Sequence, residues 1–212
     1  MTVCAATNNP GKLKELRRIL EKAGHAVKSL RELGITLDPE ETGATFAENA
    51  RIKAAAFCAA SGLPTVADDS GLCVDALGGA PGVFSARYAG VHGDDEANNR
   101  KLLAEMQAVP AGQRAARFVS AVCFMLPDGR VLTVEGVCPG SVAFAPAGEN
   151  GFGYDPLFIP DRVGVGAGTV ENAARRTYAE LADAEKDAIS HRGRAMEKLE
   201  RELPEFLKLI RN

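Results

Sequence analysis

The sequence predicts an α/β fold with a central mixed β-sheet and flanking helices. Segments with helical periodicity alternate with short apolar segments rich in β-branched residues, as in a sheet covered by helices. One pair of β-rich segments is joined by Pro127-Asp128-Gly129, which indicates an antiparallel hairpin. The 212 residues are 46% apolar and 25% charged, which is typical of a globular chain, and we expect residues 1–212 to form a single domain.

The first third of the chain is predicted to run strand, helix, helix, strand. Residues 2–6 form an apolar strand, and a polar loop over residues 7–12 leads into a helix with apolar side chains at positions 13, 16, 19 and 20. Thr45-x-x-Glu48 is a capping box, which predicts the start of a second helix, and Gly62 marks its end. Residues 65–67 are then predicted to form a short strand.

The middle of the chain is predicted to contain a long ordered loop, because residues 68–93 are rich in glycine and proline. Asp94 or Asp95 is a candidate cap for the helix that follows. The predicted hairpin strands are residues 118–126 and 131–137.

The C-terminal part is predicted to be mainly helical. A further strand is expected over residues 141–144, and Thr177-x-x-Glu180 is another candidate capping box. A long helix is predicted from about residue 183 to residue 199. Pro204 should allow only a short final helix after it.

Composition excludes several classes of protein. The cysteines are Cys4, Cys58, Cys73, Cys123 and Cys138. They form no C-x-x-C pair, so we expect buried, reduced thiols in a cytoplasmic protein. There is no charged-then-apolar leader and no apolar run long enough to span a bilayer, so no membrane partner is expected. The net charge is −3 without a Lys/Arg stripe, which argues against polymeric nucleic acid but is compatible with a small phosphorylated ligand.

The loop Thr7-Asn8-Asn9-Pro10-Gly11-Lys12 is a candidate phosphate site. It lies between a predicted strand and helix, where backbone amides, the helix dipole and the Lys12 ammonium can all meet an anion. It is not a P-loop, because Ala6 stands at the first glycine position and Leu13 replaces the magnesium-binding Ser/Thr. The alternative is an ordinary strand-to-helix turn.

Two acidic pairs, Glu40-Glu41 and Asp68-Asp69, are predicted at the ends of elements. Carboxylates in such places suit a hard cation with oxygen ligands, and Mg²⁺ is the expected ion. The three histidines His25, His92 and His191 are too scattered along the chain for a zinc cluster. The alternative is that the acidic pairs only mark solvated loops and helix starts.

Two further features could contact a ligand. In Gly151-Phe152-Gly153-Tyr154-Asp155-Pro156, glycines bracket an aromatic side chain that could stack on a base, or that simply packs the turn onto the core. In the predicted last helix, Lys186 and Ser190 are one turn apart, beside His191 and Arg192. This is either a polar ligand-facing patch or a solvated helix face.

Seven short motifs occur together in one order along nearly the whole chain. They are Thr7-Asn8-Asn9-Pro10-Gly11-Lys12, Glu40-Glu41-Thr42-Gly43, Phe46-x-Glu48-Asn49-Ala50, Ala67-Asp68-Asp69-Ser70-Gly71-Leu72, Gly78-Gly79-Ala80-Pro81-Gly82, Phe152-Gly153-Tyr154-Asp155-Pro156 and Ser190-His191-Arg192. In this order they resemble the non-canonical purine NTP pyrophosphatases, the inosine-triphosphatase family.

The resemblance implies an α/β fold of two lobes enclosing a nucleotide cleft, and a homodimer. It implies an enzyme that hydrolyses dITP, ITP and XTP or dXTP to the monophosphate and pyrophosphate. By motif, residues 7–12 would hold the triphosphate, and Glu40 and Asp69 would bind magnesium. Asp69 would also position or deprotonate the attacking water.

The remaining motif residues fall on positions that contact substrate in the family. These are Ser70, Phe152, Gly153, Tyr154, Asp155, Lys186, His191 and Arg192.

One segment departs from the family pattern. Residues 161–176 form a link that is longer than in typical bacterial members, and we expect a mobile surface loop there. Two alternative functions remain: a house-cleaning pyrophosphatase for other modified nucleotides, such as methylated pyrimidines, and a nucleotide-binding regulatory protein without turnover.

Overall fold

The computed structural model describes residues 1–208, and for Glu15 only the backbone. Its strands are β1 (Thr2–Ala5), β2 (Ala26–Ser29), β3 (Thr65–Val74), β4 (Ala115–Met125), β5 (Val131–Val142), β6 (Phe158–Pro160), β7 (Arg162–Val165) and β8 (Gly168–Glu171). Its helices are α1 (Pro10–Lys22), α2 (Phe46–Ser61), α3 (Asp95–Glu105), α4 (Asp183–Asp187) and α5 (His191–Lys208). No helix within this part of the chain is long and apolar enough to cross a membrane.

The predicted α/β fold with a mixed sheet is confirmed. Six strands form one sheet in the order β2-β1-β3-β4-β5-β6, and β7 and β8 form a separate two-stranded sheet. Strand β1 pairs in parallel with β2 and β3, whereas β5 and β6 are antiparallel. Helix α1 connects β1 to β2, and α2 connects β2 to β3 on the other side of β1, so the two helices supply the crossovers that parallel strands require.

The chain divides into two compact units, each with its own hydrophobic core. The first unit contains residues 1–69, residues 120–136 and the segment from residue 194. Its core includes Leu16 and Leu20, one turn apart on α1, and Leu199 on α5, all at most 1% exposed. This spacing explains why α1 is stable: its apolar stripe is buried while its other face carries charge.

An exposed carboxylate in the first unit is tightly hydrogen-bonded. Glu32 accepts hydrogen bonds from the Ser29 backbone amide at 2.7 Å and the Ser29 hydroxyl at 2.8 Å, and it pairs with Arg17. The Ser29 amide and the Arg17 guanidinium lower the pKa of Glu32 to about 2.

The second unit contains residues 70–119 and 137–193, and aromatic rings form the centre of its core. The ring of Phe118 lies 4.7 Å from that of Phe158, edge to face, and 5.7 Å from that of Tyr178, stacked. Edge-to-face and offset-stacked pairs at these separations stabilise a core beyond the area that they bury.

Most predicted element boundaries agree with the structure, and the differences have physical causes. Thr45 caps α2 in a complete capping box, and Asp94 caps α3. The predicted loop over residues 68–93 is wrong at its start, because β3 continues to Val74. Asp, Ser and Gly have low strand propensity, but β3 lies between β1 and β4 in the sheet, and this pairing outweighs local preference. The strand predicted over residues 141–144 is not a separate element, because residues 141–142 are the end of the continuous β5 and residues 143–144 lie outside it.

The predicted long C-terminal helix is wrong, because it consists of two helices. Helix α4 ends at Asp187, and α5 begins at His191. The hydroxyl of Ser190 accepts a hydrogen bond from the Gly193 amide at 2.9 Å, as an N-cap does, so Ser190 starts a new helix. Pro204 does not end α5, which continues to Lys208 and buries Leu203 before the proline.

Within the expected surface loop over residues 161–176, residues 162–171 form a β-hairpin instead. Strands β7 and β8 pair Val163 with Val170 and Val165 with Gly168. Val163 is buried in the core of the second unit. A Cβ at Gly164 would lie 2.6 Å from the carbonyl oxygen of Glu185, so β7 packs directly on the backbone of α4.

Candidate active site

The predicted phosphate loop is a short connection closed by Asn9. Helix α1 begins at Pro10, so Gly11 and Lys12 belong to its first turn. The Asn9 side-chain oxygen accepts hydrogen bonds from the amides of Gly11 at 2.9 Å and Lys12 at 3.1 Å. Thr7 in turn accepts one from the Asn9 amide at 3.1 Å, and Asn8 is exposed. The Asn9 oxygen therefore occupies the position at which a phosphate oxygen would accept from the helix N-terminus.

Two consecutive carboxylates of β3 each meet a lysine of a helix. Asp68 is almost fully buried and pairs with Lys12 of α1, Nζ to Oδ2, at 2.8 Å. Asp69 lies 3.2 Å from Lys53 Nζ of α2 and accepts a hydrogen bond from the Asn49 amide group at 3.2 Å. Because successive side chains of a strand point to opposite faces, adjacent residues can serve two different helices.

The lysine on α2 also binds a second acid. Lys53 Nζ lies 3.2 Å from Glu41 Oε1, the same distance as from Asp69 Oδ1. Glu40, the predicted metal ligand, is exposed in the segment before α2. Its assignment stays a prediction, and the structure adds its neighbour Glu41 to the acidic group.

Burial controls the charges in this group. Burial raises the pKa of the Asp69 carboxyl above its usual value, and the Lys53 ammonium only partly opposes this effect. Burial would lower the pKa of Lys53, but Asp69, Asp68 and Glu41 together raise it. Lys53 is therefore held as a cation, and Asp69 is a stronger base than an ordinary carboxylate.

The group also fits a divalent cation. An ammonium already bridges Glu41 and Asp69, so their oxygens converge on one positive charge. Within residues 1–208, no three His, Cys, Asp or Glu side chains form a metal-holding cluster. Mg²⁺ commonly takes only one or two protein carboxylates and completes its shell with water and phosphate oxygens, so a two-carboxylate group suffices.

The second unit contains the predicted aromatic turn. Phe152 is half exposed, whereas Tyr154 is buried and donates its hydroxyl hydrogen to the Ser85 carbonyl oxygen at 2.9 Å. The buried Asp155 carboxylate accepts a hydrogen bond from the Phe152 amide at 3.0 Å and pairs with Lys186 of α4. Burial raises the pKa of Asp155, and Lys186 opposes that rise.

The structure brings Lys186 of α4 together with two residues of the aromatic turn, Asp155 and Phe152. Lys186 Nζ pairs with Asp155 and lies 5.5 Å from the centroid of the Phe152 ring, within cation–π range. Two other predicted residues of this unit follow Lys186 closely in the chain. His191 and Arg192 form the first turn of α5 and are mostly buried, with the His191 ring stacked on Phe118 at 4.8 Å. Ser70 follows Asp69 on β3 and is partly buried.

Sequence reasoning missed four residues of these groups. Lys53 and Asn49 bind Asp69, and Asp95 and Asn99 bind the backbone of Gly153. Each pair is spaced i, i+4 on a predicted helix, which places both side chains on one face. That spacing was the available signal.

Comparisons with known proteins identify the family of this chain. The model of the Ham1 family matches residues 3–202. The chain is 52% identical to a dITP/XTP pyrophosphatase of Nocardia farcinica over 200 residues, covering 93% of this chain and 92% of the relative. A dITP/XTP pyrophosphatase of Bacillus subtilis is 49% identical, with 92% of each chain covered.

Solved structures give the same result. A Ham1 protein from Coxiella burnetii has a TM-score of 0.85 and 40% identity, covering 97% of this chain and 99% of that one. The nucleoside-triphosphatase / dITP/XTP pyrophosphatase from Mycobacterium abscessus has a TM-score of 0.76 and 48% identity, covering 94% and 98%.

Proposed function

The chain belongs to the Ham1 family, and from this premise we propose that it hydrolyses the non-canonical purine nucleotides dITP, ITP and XTP or dXTP to the monophosphate and pyrophosphate. The observation that carries this proposal is the buried Asp69 carboxylate, held between Lys53 and Asn49. A fixed base next to an ammonium suits the attack of water on a phosphorus atom whose developing charge must be neutralised.

Asp69 accepts the proton of the attacking water. The water oxygen bonds to the α-phosphorus, the bond from that phosphorus to the bridging oxygen breaks, and pyrophosphate leaves. Asn49 donates a hydrogen bond to Asp69 Oδ2 and so fixes the orientation of the base.

Cations of the first unit bind the phosphates. Lys12 and the loop that begins at Thr7 take the triphosphate, and Lys53 adds a second positive charge. Asp69 with Glu40 or Glu41 would hold Mg²⁺, the proposed cofactor, which would neutralise phosphate charge and polarise the anhydride.

Residues of the second unit recognise the base. Phe152 stacks on the purine, and Lys186, His191 and Arg192 present hydrogen-bond donors to the 6-oxo group. The 6-amino group of adenine offers a donor in that position, and a buried donor facing a donor is costly, so adenine nucleotides are rejected.

The decisive experiment is product analysis with dITP and Mg²⁺. We expect the monophosphate and pyrophosphate; formation of the diphosphate and orthophosphate would contradict attack at the α-phosphorus. Binding of dITP without any product would instead support a regulatory nucleotide-binding protein. A panel that includes methylated pyrimidine triphosphates tests the other alternative, a pyrophosphatase for a different class of modified nucleotide.

The Asp69→Asn variant tests whether Asp69 is the catalytic base. The amide keeps the size of the side chain but loses the negative charge and the basicity, so we expect a loss of at least about a hundredfold in kcat with the fold retained. A variant with near-parental kcat would refute the assignment of Asp69 as the base.

We also propose that the protein is a cytoplasmic homodimer. The five buried, free thiols fit a reducing compartment. The dimer follows from the family resemblance, and light scattering of the purified protein tests it.

A further inference from the structure

The ring of Phe152 is the candidate base platform, yet little core packing holds it. The residue is 53% exposed. A ring buried in a core is oriented by its neighbours, whereas a half-exposed ring keeps a fixed direction only if its backbone is fixed. The orientation of this ring therefore depends on the hydrogen bonds of the backbone at residues 151–153.

Carboxylates bind both peptide groups that flank the Phe152 Cα. The Phe152 amide, in the preceding peptide group, donates to Asp155 Oδ2 at 3.0 Å. The Gly153 amide, in the following peptide group, donates to Asp95 Oδ2 at 2.7 Å. Fixing both peptide planes fixes φ and ψ of Phe152, and so the direction of its Cα–Cβ bond.

A second side chain of the same helix completes the arrangement. Asn99 Nδ2 donates to the carbonyl oxygen of Gly153 at 2.9 Å. Asp95 and Asn99 are four residues apart on α3 and thus lie on one face, where they bind the amide and the carbonyl of one glycine. Gly153 has φ of +62°, a left-handed conformation that glycine adopts without strain.

Helix α3 is itself firmly anchored. Asp94 caps its first turn by accepting a hydrogen bond from the Ala97 amide at 2.9 Å. Leu102 and, at its C-terminal end, Met106 are fully buried in the core of the second unit. The contacts made by Asp95 and Asn99 thus connect an exposed turn to a rigid core.

We propose that Asp95 and Asn99 are positioning residues that hold the Phe152 ring in the orientation that stacks on the purine base. The inference rests on the proposed function, because it assumes that Phe152 receives the base. Neither residue touches the reacting phosphate, so their loss weakens the binding of nucleotide and leaves the rate of the bound complex largely unchanged.

The chain offers a clean spectroscopic test, because it contains no tryptophan. Phe152→Trp introduces a single reporter at the platform itself. Inosine monophosphate, the reaction product, serves as the probe because it carries the base and is not hydrolysed further. Stacking on the indole should quench its fluorescence in a saturable way.

Substitutions of Asn99 and Asp95 in the reporter protein each remove one hydrogen bond, and an isosteric change at each position separates the hydrogen bond from the bulk of the side chain. Asn99→Asp keeps the shape of the side chain but loses the donor, and Asp95→Ala loses the acceptor. Each variant should raise the half-saturation concentration for inosine monophosphate by about five- to tenfold, which corresponds to part of the binding free energy of a stacked base. The fluorescence anisotropy of the unbound reporter should fall in both. Asp95→Asn keeps an acceptor oxygen and should behave as the parent does.

Glu96→Ala is the matched control on the same turn of α3, because Glu96 is exposed and pairs only with Arg100 among its described contacts. It should leave quenching and anisotropy unchanged. Without the reporter, Asn99→Asp should raise KM for dITP by the same factor and change kcat by less than about twofold, a split that general destabilisation does not produce.

The outcomes separate the two levels of the inference. If the parental reporter responds to inosine monophosphate and Asn99→Asp and Asp95→Ala respond identically, the positioning role is refuted while the proposed function stands. If Asp95→Asn is as impaired as Asp95→Ala, the hydrogen bond is not the cause and the proposal fails. If the parental reporter does not respond at all, Phe152 is not the base platform, and both the base-recognition part of the proposed function and the positioning role are overturned.

Discussion

Replacing Lys53 by methionine should cost far more stability than the same replacement at a surface lysine. Lys53 Nζ lies 3.2 Å from Glu41 Oε1 and 3.2 Å from Asp69 Oδ1, and its side chain is only 14% exposed. At this distance and an effective dielectric constant of about 20, each attraction amounts to roughly 5 kcal/mol before desolvation is subtracted. Methionine keeps the length of the side chain and leaves two acids without their shared cation.

The net loss is smaller than that sum, because burying the Lys53 ammonium also carries a desolvation cost that methionine does not have. Breaking one partner of a buried pair costs about 3–5 kcal/mol, and the partial exposure of Glu41 puts this site at the lower end. The matched control is Lys22→Met. Lys22 lies 3.1 Å from Glu200, but its side chain is 73% exposed, and such surface pairs contribute about 0–1 kcal/mol.

Urea unfolding at neutral pH with a chelator present measures both free energies of unfolding without contribution from bound metal. We expect a loss of about 3 kcal/mol for Lys53→Met and less than about 1 kcal/mol for Lys22→Met. Equal losses would show that the acidic group does not depend on Lys53, and would remove the electrostatic basis for the assigned roles of Asp69 and Glu41.

Three further predictions follow from single contacts. Gly151→Ala should destabilise the protein more than Gly166→Ala. Both glycines have positive φ, but of the two only Gly151 would bring the added Cβ into overlap with a side chain, that of Asp155. Equal changes in the urea midpoint of the two variants would contradict this reasoning. Glu32→Gln should lower the free energy of unfolding at neutral pH. Because the folded pKa of Glu32 is lowered to about 2, the difference from the parent should be full above about pH 4.5 and disappear as the pH falls toward 2. A difference that does not depend on pH would refute the stabilising role of the Glu32 carboxylate. Arg192→Ala should reduce the ratio of kcat/KM for ITP over ATP, mainly through the ITP rate; an unchanged ratio would make Arg192 a phosphate or structural residue.

Local signals in the sequence predicted the elements whose boundaries are decided locally. The Thr45 capping box and the cap of α3 at Asp94 both satisfy helix-terminal amides within a few residues, so the sequence nearby contains the whole interaction. The hairpin turn at Asp128-Gly129 is equally local. Such features need no knowledge of distant residues.

The extension of β3 through Asp68 and Asp69 could not be predicted in this way. Two adjacent acids resemble a loop until their partners are known, and those partners are Lys12 and Lys53, 56 and 16 residues earlier in the chain. Long-range pairing supplied the free energy that local propensity lacked. The break at Ser190 was missed for the opposite reason, because a strong helical pattern on both sides concealed a serine that begins a new helix.

In the candidate site, too, long-range contacts could not be predicted from local sequence. The motif order selected Asp155 and Lys186, but only the fold shows that they form an ion pair across 31 residues. Likewise, Asp69 was assigned as the base, whereas its direct partner Lys53 was not recognised. Sequence patterns identify reactive side chains well, and they identify the residues that orient those side chains poorly, because an orienting residue needs only one correctly placed atom.

The three buried aspartates share one arrangement, and it constrains how a triphosphate can bind. Asp68, Asp69 and Asp155 each pair with a lysine from a helix, namely Lys12, Lys53 and Lys186. Each lysine offsets one aspartate, and Glu41 leaves the group around Lys53 with an excess negative charge, so the lysines are ordered before substrate arrives but are not free of their carboxylates. A triphosphate adds several negative charges beside the first two pairs, more than two partly neutralised ammonium groups can offset. A divalent cation that enters with the nucleotide supplies the missing positive charge, and we therefore expect nucleotide and metal to increase each other's affinity.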